Sequence, residues 1–219
     1  MKKENRNKPE FERRNFAATE LRAVSDDKGV RHITGYAAVF NSLSEDLGGF
    51  REKIAPGAFA RAIKEDDVRA LWNHNSDCVL GRTKSGTLRL SEDEHGLKIE
   101  CDPPDAQWVR DLMASIDRGD IDQMSFGFMV RRYPDGSRGA QWVEENGEDI
   151  RILTDVELFD VSPVTFPAYP DTEVGLRSLE EHKKAAVGGN GGAIDPAIII
   201  GLRRKRLESK IITFGGNEK

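Results

Sequence analysis

Apolar positions recur along this chain with two different periods. In several stretches between residues 17 and 101 they return every second residue, in short runs broken by Gly, Asn, Asp and Ser, which is the pattern of strands with one buried face. Residues 17–24 and 33–40 read as a hairpin across Ser25-Asp26-Asp27-Lys28-Gly29, and residues 41–49 as a loop. Pro56, followed by Gly57-Ala58-Phe59-Ala60-Arg61-Ala62-Ile63-Lys64, suits a short helix: proline is tolerated in a first turn, and Phe59 and Ile63 fall one turn apart. Residues 68–73 read as a strand, and 78–83, 87–90 and 97–101 follow as the strands of a meander. Over 105–118 the period lengthens, placing Trp108, Val109, Leu112, Met113 and Ile116 on one helical face, with Asp105 near its start and Gly119 just past its end. A strand through 122–130, a short strand at 141–144 and a long strand over 150–164 follow, separated by Pro134-Asp135-Gly136-Ser137 and Glu145-Asn146-Gly147-Glu148. The total of roughly eight short strands and two or three helices predicts a mainly β, α+β fold: a closed or nearly closed antiparallel β-barrel surrounded by a few helices.

The two ends carry a different pattern. Residues 1–15 mix charges of both signs with almost no apolar content and are expected to form a disordered arm. A domain over residues 16–176 follows, then a flexible tail over 177–219. Across the start of that tail, residues 173–184 read as a polar helix, and 185–192 read as a glycine-rich linker. Residues 196–212 read as an amphipathic helix that mixes Ile198, Ile199, Ile200 and Leu202 with the basic run Arg203-Arg204-Lys205-Arg206. The Ile-rich piece falls far short of the roughly 20 apolar residues needed to span a bilayer.

Composition narrows the function classes. The chain has 219 residues, enough for one domain with a real core, and 32% of them are charged. Cys78 and Cys101 give no disulfide framework, and the N-terminus lacks a signal-peptide pattern, so a reducing, cytosolic setting is expected. The net charge of −5 argues against nucleic acid as the main partner.

Candidate chemistry centres on Asp122-Gln123-Met124-Ser125-Phe126-Gly127-Phe128-Met129-Val130 and on Trp72-Asn73-His74-Asn75-Ser76. In an extended strand Met124, Phe126, Phe128 and Val130 line one face and Ser125 and Gly127 the other. Ser125 is then either a solvated serine on an edge strand or a nucleophile, with Gly127 leaving space on its face for a substrate backbone. His74 shares the parity of Val68, Ala70 and Trp72 and stands at a strand end, where an imidazole packs against apolar neighbours and still reaches a groove. A serine hydroxyl is a weak nucleophile until a base takes its proton, so the pair means more than either member.

These residues resemble the prohead (capsid maturation) proteases of tailed bacteriophages, a family distantly similar in fold to the herpesvirus assembly proteases. The resemblance rests on Ile54-Ala55-Pro56-Gly57-Ala58-Phe59, on Leu71-Trp72-Asn73-His74 leading into Leu80-Gly81-Arg82-Thr83, and on Met124-Ser125-Phe126-Gly127-Phe128. It extends through Phe159-Asp160-Val161-Ser162-Pro163-Val164 into Phe166-Pro167-Ala168-Tyr169-Pro170, the blocks occurring in the family's order. It implies the barrel architecture, a serine endopeptidase, and His74 and Ser125 as catalytic base and nucleophile. As substrate it implies the major capsid protein's scaffolding segment, or a separate scaffold protein, cut inside the assembling prohead in the host bacterial cytoplasm. Self-cleavage in Gly188-Gly189-Asn190-Gly191-Gly192-Ala193 and docking through the basic tail extend that reading, and a homo-oligomer stays open.

A third catalytic residue should fix the imidazole's tautomer and orientation. The strand over 150–164 offers Asp155, Glu157 and Asp160. Asp160 shares its parity with Ile152, Val156 and Leu158, so an inward face would bury its carboxylate and demand a partner, and it is preferred to Glu157. The herpesvirus enzymes use a second histidine there, and this strand has none. No cofactor, metal or membrane is called for. Two alternatives stand beside the protease: an inactive capsid-assembly scaffold of the same fold, and a zinc module built from His74, Cys78, His95 and Cys101, whose His-x3-Cys spacing suits zinc but lacks paired Cys-x2-Cys ligands.

Overall fold

The structure is a computed structural model that describes residues 11–16, 20–25, 27, 31–166 and 172–186. Residues 1–176 form one compact unit and residues 177–219 a second. In chain order the strands begin with β1 (Glu12–Phe16), β2 (Arg22–Ser25), β3 (Arg31–Val39) and β4 (Arg51–Ile54). After the one-turn helix α1 (Ala62–Glu65) come β5 (Arg69–Leu71), β6 (Val79–Arg82), β7 (Leu88–Glu92) and β8 (Gly96–Cys101). Helix α2 (Gln107–Arg118) precedes β9 (Gln123–Val130), β10 (Ala140–Glu145), β11 (Glu148–Leu153) and β12 (Val156–Val164), and α3 (Thr172–Ala186) closes the described chain.

The strands form three sheets, ordered β1-β9-β12-β5-β6, β10-β11-β4 and β2-β3-β8-β7. Among the described residues none closes into a barrel, which corrects the expected architecture. The long strand expected over 150–164 breaks at Thr154 and Asp155, and its halves β11 and β12 join different sheets, so no ladder runs continuously around the molecule. The expected meander divides the same way, because β6 belongs to the five-stranded sheet and β7 to the four-stranded one. Strand β4, within a stretch not read as strand, pairs parallel with β11.

Helix α2 forms where the period lengthened. Val109, Leu112, Met113 and Ile116 are its buried face, and Gly119, at φ 79°, closes it in the left-handed conformation that glycine adopts without steric cost. The start differs from expectation. Ala106 is the N-cap without a side-chain bond, and Asp105 pairs with Arg110 instead. The apolar side of β9 enters the core, where Met124, Phe126 and Phe128 are fully buried. Phe126 meets Phe59 edge to face at 5.4 Å. The linker expected over 185–192 begins later, because Ala185 and Ala186 belong to α3; its remainder and the helix expected over 196–212 lie outside the described residues.

The arm expected over residues 1–15 is corrected where it is described: Glu12–Phe16 pairs with β9 along its whole length. Its core-facing side chains are charged. Glu12 and Arg14 stand opposite Phe128 and Phe126 and meet Glu52 of β4 and Arg151 of β11. Arg14 Nε donates to Glu52 Oε1 at 2.8 Å and its Nη2 to Glu12 Oε2 at 2.5 Å. Arg151 Nε donates to Glu52 Oε2 and its Nη2 to Glu12 Oε2, both at 2.6 Å. All four side chains are at most 5% exposed, so the two positive and two negative charges compensate one another almost without water. Burial raises the Glu12 pKa, but the attraction of Arg151 and then Arg14 outweighs it and holds the carboxyl below its ordinary value. That contribution to stability is present above the ordinary glutamate range and is lost as pH falls from there through the lowered value of the folded protein.

Removing one member of such a cluster leaves uncompensated buried charge, which costs more than the cluster's net worth when intact. Arg151→Met is therefore expected to destabilise the fold by about 3–5 kcal/mol, read as a lowered urea midpoint. A change within about 0.5 kcal/mol, the range of an ordinary surface substitution, would contradict the assignment.

Candidate active site

The site forms at the centre of the five-stranded sheet, where β12 lies between β9 and β5. Strand β9 pairs antiparallel with β12, placing Ser125 opposite Ser162 and Met124 opposite Pro163. Ser125 is fully buried on an interior strand, which removes the reading of a solvated serine on an edge. Strand β5 runs parallel to β12, with Ala70 opposite Val161, and the chain then turns. His74 belongs to that turn, since β5 ends at Leu71. Asn73 and His74 both have positive φ, 54° and 55°, a conformation that asparagine and histidine accept more readily than most residues. The turn is tied to the end of β12. The Asn73 N–H donates to Pro163 O at 3.0 Å, and the Thr165 N–H donates to Asn73 Oδ1 at 2.9 Å.

His74 thereby reaches both of its neighbours. Its Nε2 lies 2.6 Å from Ser125 Oγ and its Nδ1 lies 2.5 Å from Asp160 Oδ2. A carboxylate only accepts hydrogen bonds, so Nδ1 carries the proton and Nε2 is left to accept from the serine hydroxyl. The His74 and Asp160 side chains are 5% and 7% exposed, so both bonds are shielded from competing water. The structure thus brings Ser125, His74 and Asp160 into one hydrogen-bonded chain. Glu157 is half-buried opposite Met129, before the bulge in β12 and away from that chain.

Asp160 arrives by a route other than the one expected. Simple alternation would place it on the face of Val156 and Leu158, in the core. The ladder instead shifts by one residue between Leu158 and Asp160: Leu158 pairs with Phe128, and Asp160 pairs with Gly127 rather than Phe126. A β-bulge of one residue exchanges the faces of everything beyond it, so Asp160 emerges on the Ser125 side. The reading of Gly127 changes with it. The space left by its missing side chain holds the Asp160 carboxylate and the Phe11 ring, not room for a substrate backbone.

Sequence reasoning missed two residues that shape this site. Ser162, fully buried, donates to Asp160 Oδ2 at 2.6 Å; the signal was its place two residues from Asp160, on the same face of the same strand. Asn73 holds the histidine turn, and asparagine's tolerance of positive φ beside a polar turn was the available sign. The four residues weighed as zinc ligands are not gathered together. His95 packs edge to face on Tyr36 at 4.5 Å, and burial pushes the Cys101 thiol up to about 12. Among the described residues no group of three or more His, Cys, Asp and Glu side chains is placed to hold a metal ion.

The comparisons with known proteins agree with a serine protease. Residues 17–185 match the model of the caudovirus prohead serine proteases, and the chain belongs to that family. It is 29% identical over 171 residues to the prohead protease of Enterobacteria phage HK97, an alignment covering 75% of this chain and 67% of that protein. It is 28% identical over 160 residues to the prohead protease of Escherichia phage T5, covering 71% and 67%. Among solved structures, the capsid assembly protease gp21 of bacteriophage T4 aligns with a TM-score of 0.47 at 11% identity, over 72% of this chain and 99% of that one.

The packing at Gly127 gives a direct test of the carboxylate's position. A Cβ added there would collide with Asp160 Oδ1 and stand 2.7 Å from Phe11 Cζ. Gly127→Ala is expected to push the carboxylate away from His74 and lower peptide hydrolysis by on the order of 100-fold, the scale of a misplacement of about 1 Å. Parental activity in that variant would mean that the placement of Asp160 is immaterial.

Proposed function

We propose that Ser125 is the nucleophile, His74 the general base and Asp160 the residue that fixes and charge-compensates the imidazole. The observation that carries this reading is the unbroken chain of short hydrogen bonds from Ser125 Oγ through both ring nitrogens of His74 to Asp160 Oδ2. His74 Nε2 takes the hydroxyl proton as Oγ bonds to the scissile carbonyl carbon, and the carbonyl oxygen becomes an oxyanion stabilised by backbone N–H groups. The intermediate collapses as Nε2 returns that proton to the departing amine, leaving an ester on Ser125. Water then releases the acyl group by the same proton route. Asp160, already hydrogen-bonded to Nδ1, stabilises the imidazolium without itself taking a proton.

The substrate follows from the family: a capsid-protein scaffolding segment or a separate scaffold protein, cut during prohead maturation. Ser125 is fully buried in this state, so a productive complex requires its Oγ to be uncovered first. We read residues up to about 176 as the catalytic domain. The stretch beyond carries a glycine-rich segment at 188–193 suited to self-cleavage, and a basic, Ile-bearing segment suited to docking on capsid or scaffold protein.

One set of variants tests this. Ser125→Ala is expected to fold and to leave capsid protein uncut on a gel, and a C-terminal truncation between residues 179 and 194 should appear by mass spectrometry only when Ser125 is present. Asp160→Asn should lower the rate by on the order of 10⁴, and Glu157→Gln should leave it nearly unchanged. Capsid processing at the parental rate by Ser125→Ala would refute the nucleophile, and the opposite order of the two carboxylate variants would move the third role to Glu157.

A further inference from the structure

We propose that Ser162 is a positioning residue for the hydrolytic reaction, holding the Asp160 carboxylate in the orientation that engages His74. This rests on the assignment of Ser125, His74 and Asp160 made above. Ser162 lies on β12 two residues beyond Asp160, opposite Ser125 in the ladder with β9, and is fully buried. Its hydroxyl donates to Asp160 Oδ2 at 2.6 Å, and that same oxygen receives the His74 Nδ1–H at 2.5 Å.

The torsion that turns an aspartate carboxylate is broad and roughly two-fold, so packing alone defines its plane poorly. Two donors converging on one oxygen do define it: Ser162 from within β12 and His74 from the turn after β5. Gly127 leaves room for the other oxygen, Oδ1, across the ladder. Burying a hydroxyl without a partner costs free energy, and a serine has one proton to donate. Ser162 gives that proton to Asp160, which leaves the Ser125 hydroxyl to His74. The bulge at Phe159 delivers Asp160 and Ser162 to the same face together. The hydroxyl therefore has a defined task for the reaction, beyond filling space between strands.

A matched pair of variants in the full-length protein separates the hydroxyl from the volume. Ser162→Thr and Ser162→Val add the same branched bulk and differ in the hydroxyl alone. Ser162→Val is expected to lower kcat for peptide hydrolysis by about 10- to 100-fold with KM little changed, and Ser162→Thr to retain most of the parental kcat. The low-field proton resonance of the His74 Nδ1–H should persist in Ser162→Thr and shift or broaden in Ser162→Val. Should the added methyl prevent folding in both, Ser162→Ala, which cannot clash, is expected to show the same loss of kcat and the same spectral change. Equal kcat in the Thr and Val variants, or an unaltered resonance in Ser162→Val or Ser162→Ala, would overturn the proposal. Ser125→Ala, measured beside them, keeps the outcomes distinct: hydrolysis by that variant would refute the underlying triad, whereas its inactivity with a fully active Ser162→Ala would refute only the role of Ser162.

Discussion

Between Leu158 and Asp160 the ladder of β12 against β9 slips by one residue, and the relation between the carboxylate and the histidine depends on that slip. Side chains on a strand alternate faces, so in a regular ladder Asp160 would lie in the core among Phe126 and Phe128, with no partner for its charge. The slip turns it toward Ser125, where His74 and Ser162 accept responsibility for that charge. Neighbouring groups hold the irregularity in place. The Leu158 N–H, just before the bulge, donates to Asp66 Oδ2 at 2.8 Å. Asp66 is in turn held by Arg131 at 3.2 Å, and Phe159, the extra residue, packs against Phe11 with ring centroids 5.6 Å apart. Arg131 thus serves the strand that carries the site, and it reaches Asp155 on the same side at 3.3 Å.

The histidine depends on a second irregularity, the turn after β5. Two consecutive residues with positive φ cost conformational energy, and the bonds from Asn73 to Pro163 and Thr165 offset it. Both devices are anchored on β12, one at its middle and one at its end. Ser125 needs no such device, because β9 is a regular interior strand stapled by Phe126 and Phe128. The position of Ser125 is thus set by the core, and those of His74 and Asp160 by departures from regular structure around it.

This division explains what could be read in the sequence. Helix α2, the β9 strand and the pairing of Ser125 with His74 were legible because each rests on periodicity or on a short ordered motif. The carboxylate was approached through alternation, which a bulge defeats: nothing in Leu158-Phe159-Asp160 announces the extra residue. Strand β1 was illegible for a related reason. Its inward residues Glu12 and Arg14 look like surface, and only Glu52 and Arg151, supplied from 38 and 139 positions away, make their burial tolerable. The barrel expectation failed at Thr154 and Asp155, where an apolar run that reads as one strand serves two sheets.

If His74, oriented by Asp160, activates Ser125, a serine-directed reagent should capture that hydroxyl covalently. Full-length protein would be treated with a fluorophosphonate, and the modified peptide identified by mass spectrometry. One adduct per chain is expected, on Ser125, with labelling strongly slowed in His74→Ala although that variant remains folded. Labelling of Ser125 at an undiminished rate in folded His74→Ala, or an adduct confined to a different serine, would contradict it.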